Sequence, residues 1–245
     1  MRYFLPNIRL PCDVVQQSFI QDKLGGLPWG ISESQWPKCK NCGKSQSLLA
    51  QFLHDFDRLD LGREGRVLNI FQCNHDPGMC STWEGGAGAN ACFISEPEEL
   101  ADNQAQLPAD WPPLEREVII TDWVAKEDDI DPSKESHFYS GEKYCQLPQS
   151  ETDKVHLGTK VGGVPWWVQS PDEAPQGDWR FVGQLADFYS FLTPPSTTHE
   201  GISEDPDKWE GRTHYCDGPN FGGGTGYIFV RATTSTPEGC FFWQC

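Results

Sequence analysis

Basic side chains are scarce in this sequence. Only 19 lysines and arginines stand against 36 aspartates and glutamates, which leaves a formal charge of −17 and a pI near 4.6. Phosphate contacts need cationic side chains in excess, so nucleic acid is excluded as a partner class and a basic protein partner is favoured instead. Part of the acidity serves only solubility. Long apolar runs are also missing, and none reaches the roughly 20 residues that cross a bilayer, so no membrane association is expected. In the opening MRYFLPNIRLPCDVV, Arg and Pro break any apolar core and no small-residue cleavage site follows. The start therefore does not read as a secretory leader, and a cytoplasmic protein is expected.

Catalytic signatures are absent as well. There is no G-x-S-x-G elbow, no H-E-x-x-H helix and no dinucleotide glycine motif. Histidines at 54, 75, 137, 156, 199 and 214 are scattered along the chain. The expected class is thus a non-enzymatic binding protein. A metal-dependent hydrolase or a small-molecule-binding enzyme is the alternative, and it requires a cleft that gathers His, Asp and Glu around an open metal position. Trp83 to Ala89 is rich in glycine but lacks the Lys-Ser/Thr ending of a phosphate loop. Asn220 to Gly226 precedes a strand, so a bend is favoured there over a phosphate cradle. Asp128, Asp129 and Asp131 lack the glycine and distal glutamate of an EF-hand, and residues 125–155 read as a solvated connector.

What is present is enough chain for a real core: 245 residues, 37% of them hydrophobic, with 10 Trp and 14 Phe. That suits one large domain or two of about 120 residues. Ten cysteines in a chain without a leader point to metal ligation or buried thiols, because the cytosol keeps thiols reduced. Cys39 and Cys42, followed by Gly43, have the form of a zinc knuckle, in which a tight turn aims two thiolates at one point. Cys73 follows the apolar run Val67 to Phe71, and Cys80 lies seven residues beyond it. Four thiolates would close a tetrahedron around a structural zinc ion. A set of three cysteines with His75 in place of Cys80 is the main variant. Cys12, Cys92, Cys145, Cys216, Cys240 and Cys245 have no ligand-like grouping apart from the last two, and they read as buried or inert thiols.

Strand-like runs occur at Leu48 to Phe52, Val67 to Phe71 and Val118 to Val124. Residues 1–22 form a lead-in with a strand or short helix around Val14 to Ile20, and residues 95–116, acidic and proline-containing, form a boundary with one helical turn after Pro97. Gln51, inside an apolar run, must find hydrogen-bond partners and is expected to tie down a neighbouring loop backbone. The turn KLGGLPW at 23–29 recurs as KVGGVPW at 160–166, with Val for Leu as the only changes. Downstream, Gln184 in Phe181 to Leu185 matches Gln51, and Gly226 to Val230 echoes the strand ending at Phe71. This order implies an internal duplication. The second copy carries SPDEAPQGDWR where the first has its knuckle, so only the first half can hold the metal.

With both K-x-G-G-x-P-W turns, the C-x2-C-G knuckle, the Gln-bearing strands, NFGGGTGYIFV and the closing GCFFWQC in place, nearly the whole chain resembles the bacterial YwqG-like family. Its first half is also similar to the eukaryotic programmed cell death protein 2 family, whose members are dedicated chaperones of a ribosomal protein. The resemblance implies an α+β, predominantly β fold: an internally duplicated mixed sheet of two pseudo-equivalent halves. Residues 1–116 form the half with the cysteine-rich site and 117–245 a connector strand with the second half, packed as one compact unit. YwqG-like proteins also occur beside bacterial toxin systems, which implies an immunity role. The bacterial-type second half and the long acidic middle depart from the chaperone family, so its client is not carried over. The expected function is a protein-binding module, chaperone-like or toxin-neutralising. Its acidic groove, flanked by Trp29, Trp166 and Trp167, would hold a basic segment; the competing reading packs those tryptophans into the core.

Overall fold

The computed structural model describes residues 1–9, 17–76, 79–187, 189–193, 203–204, 213–231 and 237–245. Its strands are β1 (Arg2–Arg9), β2 (Lys23–Leu24), β3 (Ser47–Leu53), β4 (Val67–Gln72), β5 (Asn90–Ser95), β6 (Val118–Glu127), β7 (Lys160–Gly162), β8 (Arg180–Ala186), β9 (Tyr189–Thr193), β10 (Ser203–Glu204), β11 (Thr213–Asp217), β12 (Thr225–Arg231) and β13 (Glu238–Gln244). Apolar and β-branched runs bounded by glycine or polar breaks form β3, β4, β8 and β12, and the interior of each is buried.

Ten strands make one sheet in the order β13-β12-β8-β7-β1-β6-β2-β3-β4-β5. Every pairing among the described residues is antiparallel, which corrects the mixed sheet expected from the sequence. The two ends of the sheet come together, so it forms a nearly closed, barrel-like wall. At that seam Gly239 of β13 lies against Cys92 of β5, so closely that a Cβ there would meet the Cys92 sulfur at 2.6 Å. Strands β10, β11 and β9 form a separate three-stranded sheet. Among the described residues the longest helical piece, a 3-10 helix at Pro132–Tyr139, has eight residues, and the protein is predominantly β.

The long pairing of β1 with β6 sits at the middle of the sheet. On its two flanks the order runs outward as β7-β8-β12-β13 and β2-β3-β4-β5. β1, from the first segment, borders β7 of the second, and β6 borders β2 of the first, so hydrogen bonds cross between residues 1–116 and 117–245. Leu24, Leu49, Leu68, Ile70, Val161, Val182, Ile228 and Phe241 belong to the cluster that fills the interior. Two outer clusters cover the wall. Ile31 and Trp36 pack on Leu48 and Phe71 on one flank, and Trp167 packs on Phe181, Tyr227 and Phe229 on the other.

Several segments differ from the sequence reading. Residues 125–155 are not a solvated connector: Ile130, Phe138 and Val155 are buried together with Val164. Asp131 caps the 3-10 helix by accepting from the Ser133 amide at 2.9 Å. The helical turn after Pro97 is present as Pro97–Glu99, and the chain beyond it lies on the first G-G-x-P-W turn, with Ala101, Asn103 and Ala105 bonded to Gly30 and Pro28. A strand lies at Arg2–Arg9; of the element expected around Val14 to Ile20, residues 17–20 carry neither helix nor strand, and residues 14–16, like Cys12, lie outside the described residues.

Candidate metal centre

The knuckle is built by its own backbone. The Cys39 amide donates to the Lys44 carbonyl at 2.8 Å and the Gly43 amide to the Cys39 carbonyl at 2.8 Å. Gly43 sits at φ +75°, where a side chain would be strained, with open space around it. Cys73 is delivered by the end of β4, and its amide bonds to Ala89 at 2.8 Å. Cys80 closes a short turn through its amide on the Asp76 carbonyl at 3.1 Å, and the Ser81 amide reaches Asn41 Oδ1 of the knuckle at 3.2 Å. The glycine-rich segment after Trp83 lies over the knuckle. The Gly88 carbonyl takes the Lys40 amide at 2.9 Å and Gln46 Nε2 at 3.2 Å.

The outcome is a cluster in which the four sulfurs of Cys39, Cys42, Cys73 and Cys80 all lie within 4.8 Å of one another. Cys39, Cys73 and Cys80 are buried and Cys42 is exposed. A tetrahedral ion with metal–sulfur bonds of about 2.3 Å sets its sulfurs about 3.8 Å apart. Cys42 and Cys73 stand 3.6 Å apart, close to that edge and far from the roughly 2.05 Å of a disulfide. The donor set therefore fits a tetrahedral thiolate-bound ion. His75 is not among the clustered ligands; its Nε2 is buried without a hydrogen-bond partner among the described residues, and its backbone amide donates to the Cys73 sulfur.

Electrostatics set Cys42 apart from Cys73 and Cys80. Burial pushes Cys42 up, but amide and thiol donors, Lys44 and Cys73 foremost, outweigh it and hold the group below the ordinary thiol range. Burial pushes Cys73 up to about 11 against the His75 amide, and pushes Cys80 higher still. Four sulfurs this close cannot all ionise without a cation among them, since each thiolate raises the cost of the next.

The repeated turns have a shared construction of their own. Lys23 and Lys160 are buried, and each ammonium donates to the carbonyl four residues on, that of Leu27 in the first turn and that of Val164, at 2.7 Å, in the second. Lys23 also meets Gln17 Oε1 at 3.1 Å and Glu117 Oε2 at 2.9 Å. Gln51 ties down a loop backbone: its Oε1 accepts from the Trp29 amide at 3.0 Å, and its Nε2 donates to the Trp29 carbonyl at 2.8 Å. Gln184 Oε1 accepts from the Trp166 amide, also at 3.0 Å. The lysines were missed as structural groups in the sequence, where the only signal was their place at the head of both repeats.

Other sequence candidates land elsewhere. Trp29 is 6% and Trp167 4% exposed, so neither has a surface to offer a partner; Trp166 is half-buried. Cys145 and Cys245 are exposed rather than buried, Cys92 and Cys240 are half-buried, and the Cys216 side chain is outside the described set. In the 220–226 bend the Phe221 amide and, at 2.8 Å, the Gly223 amide are taken by the Asp187 carboxylate, which occupies the place a phosphate would need. Among the described residues no helix is long and apolar enough to cross a membrane. No protein-family model matches this chain, and no curated protein matches it either.

Proposed function

We propose that this protein is a non-enzymatic, acidic protein-binding module, chaperone-like or toxin-neutralising, stabilised by a structural zinc ion on Cys39, Cys42, Cys73 and Cys80. The observation that carries the reading is the makeup of the clustered site. Its four donors are all sulfur, three of them are buried, and they leave no ligand position for the water that a hydrolytic zinc keeps open. When bound, the ion supplies a crosslink: it ties the 39–44 turn to the end of β4 and to the Cys80 turn, a region otherwise held by loop hydrogen bonds. A structural zinc contributes on the order of 10 kcal/mol of apparent folding free energy. Thiolate ligation also suits a reducing cytoplasm, where we place the protein.

The two flanks are read as copies of one ancestral unit. In support, each has a buried lysine clamping its own turn and a buried glutamine holding the amide of the following tryptophan. The likeness to YwqG-like proteins and to the programmed cell death protein 2 family is the basis for the chaperone or immunity role. Charge is the basis for the partner's chemistry: Glu98, Glu99, Asp102, Asp122, Glu127 and Glu135 are all exposed on the segment joining the two flanks.

The experiment is affinity capture with the full chain, read by mass spectrometry. Basic proteins should be enriched at low salt and lost at high salt, where charges separated by more than a Debye length are screened. Recovery of no basic protein at either salt contradicts the proposal.

A further inference from the structure

The four clustered cysteines are not equally accessible. Cys39 is 1%, Cys73 0% and Cys80 2% exposed, whereas Cys42 faces solvent. It lies on an open cleft of about 1140 Å³, bordered by Trp36, Lys38, Lys44 and Asp110. A dissolved reagent therefore reaches this site through one sulfur, and behind that sulfur, 3.6 Å away, is the fully buried thiol of Cys73. An exposed thiol with a second thiol in reach is the arrangement of a reactive cysteine and its resolving partner.

We propose that Cys42 and Cys73 form a peroxide-reactive pair, whose oxidation to a disulfide unlocks the metal centre. The inference rests on the structural metal proposed above. The Cys42 thiolate attacks one oxygen of hydrogen peroxide and the O–O bond breaks; the departing hydroxide takes a proton and leaves as water, and Cys42 becomes a sulfenic acid. The Cys73 thiolate then attacks the Cys42 sulfur and the S–O bond breaks; the second hydroxide is protonated to a second water. Each sulfur gives up one electron, and peroxide takes both. The pair must close from 3.6 Å to the roughly 2.05 Å of a disulfide, a short movement for one exposed residue on a turn. With Cys42 and Cys73 joined, Cys39 and Cys80 remain as two donors where the closed site needs four, and the ion is released.

The test uses the full-length, metal-loaded protein. Metal per chain is counted first; hydrogen peroxide is then added while a colorimetric chelator reports released zinc and peptide mapping reports each cysteine. Cys145 and Cys245, exposed and outside the cluster, serve as internal standards for ordinary surface thiols. The expected result is a Cys42–Cys73 disulfide appearing in step with loss of the metal. The double variant C145S/C245S, which leaves all four clustered cysteines in place, should release the metal as the parent does, and the order of oxidation in the parent protein decides. A first disulfide that lacks Cys42 or Cys73 overturns the inference. So does metal retained while Cys145 and Cys245 become fully oxidised, an outcome that leaves the structural metal standing. Protein that carries no metal at the first count refutes the structural metal and this inference with it.

Discussion

Lys160 is a buried charge at odds with its surroundings. It heads the second repeated turn, is 1% exposed, and donates its ammonium to the Val164 carbonyl beneath the ring of Tyr3. Burial pushes its pKa down to about 7, with the Asp128 carboxylate pulling the other way, and His156 nearby is held low by its own burial and by the Lys160 charge. In the unfolded chain a lysine titrates near 10.4. Below pH 7 both states hold the proton and this group adds no pH dependence. Above pH 7 the folded protein has released a proton that the unfolded chain keeps, so stability rises with pH until the unfolded pKa is passed. At about 1.4 kcal/mol per pH unit beyond the folded pKa, the gain from pH 7 to 9 is about 2 kcal/mol. Lys160→Met keeps most of the packed stem and removes the titration. Denaturant unfolding at the two pH values should show the parent gaining about 2 kcal/mol more than the variant; equal gains would mean that Lys160 does not titrate in this range.

Between elements, the two G-G turns set how closely β6 and β1 approach their neighbours. Gly25 stands at φ +61° with the Arg116 carbonyl where its Cβ would be, at 2.1 Å, while Gly162 at φ +82° leaves 3.1 Å to the Arg2 carbonyl. Backbone in this region costs an L-residue about 1–3 kcal/mol, and at Gly25 a clash with fixed backbone is added. Gly25→Ala should therefore lower the urea midpoint more than Gly162→Ala; the reverse order would show that the first turn is not pinned against the Arg116 backbone that leads into β6. The elements themselves were unevenly legible. β3, β4, β8 and β12 read clearly because each is a compact apolar run with a glycine or polar break at its ends. β1 was missed because Pro6 and two arginines break its pattern, and β5 and β13 because short runs such as Asn90–Ser95 and Glu238–Gln244 acquire strand character only from the neighbour they pair with. The burial of Phe138 among Ile130, Val155 and Val164, with its carbonyl accepting from the Trp167 indole Nε1 at 2.6 Å, was hidden in a polar segment, since the adjacent pair Phe138 and Tyr139 at the end of eight residues makes no periodic signal.

For the molecule as a whole, the recurrence of the K-x-G-G-x-P-W turn and the acidity could be read directly, and the clustering of the four cysteines from their spacing. The choice between Cys80 and His75 could not, because it turns on contacts far apart in sequence that bring Cys80 to the knuckle, with the Ser81 amide on Asn41 as the tie. For Trp29 and Trp167 the sequence allowed either a groove or the core, and their burial takes the second reading. Because β1 pairs with β7 and β6 with β2, hydrogen bonds cross between the two segments, and loss of the proposed metal from one flank should weaken the entire fold. Cys73, fully buried at the end of β4, is the ligand whose loss disturbs the most: Cys73→Ser should abolish stoichiometric zinc and lower the melting temperature, and full zinc retention in that variant would remove Cys73 from the ligand set. A structural zinc on the four cysteines is tested most directly by metal analysis of protein purified without added metal, followed by melting curves with and without a strong chelator. One zinc per chain is expected, with a melting temperature that drops when the zinc is stripped. A metal-free protein whose melting is indifferent to the chelator would contradict it.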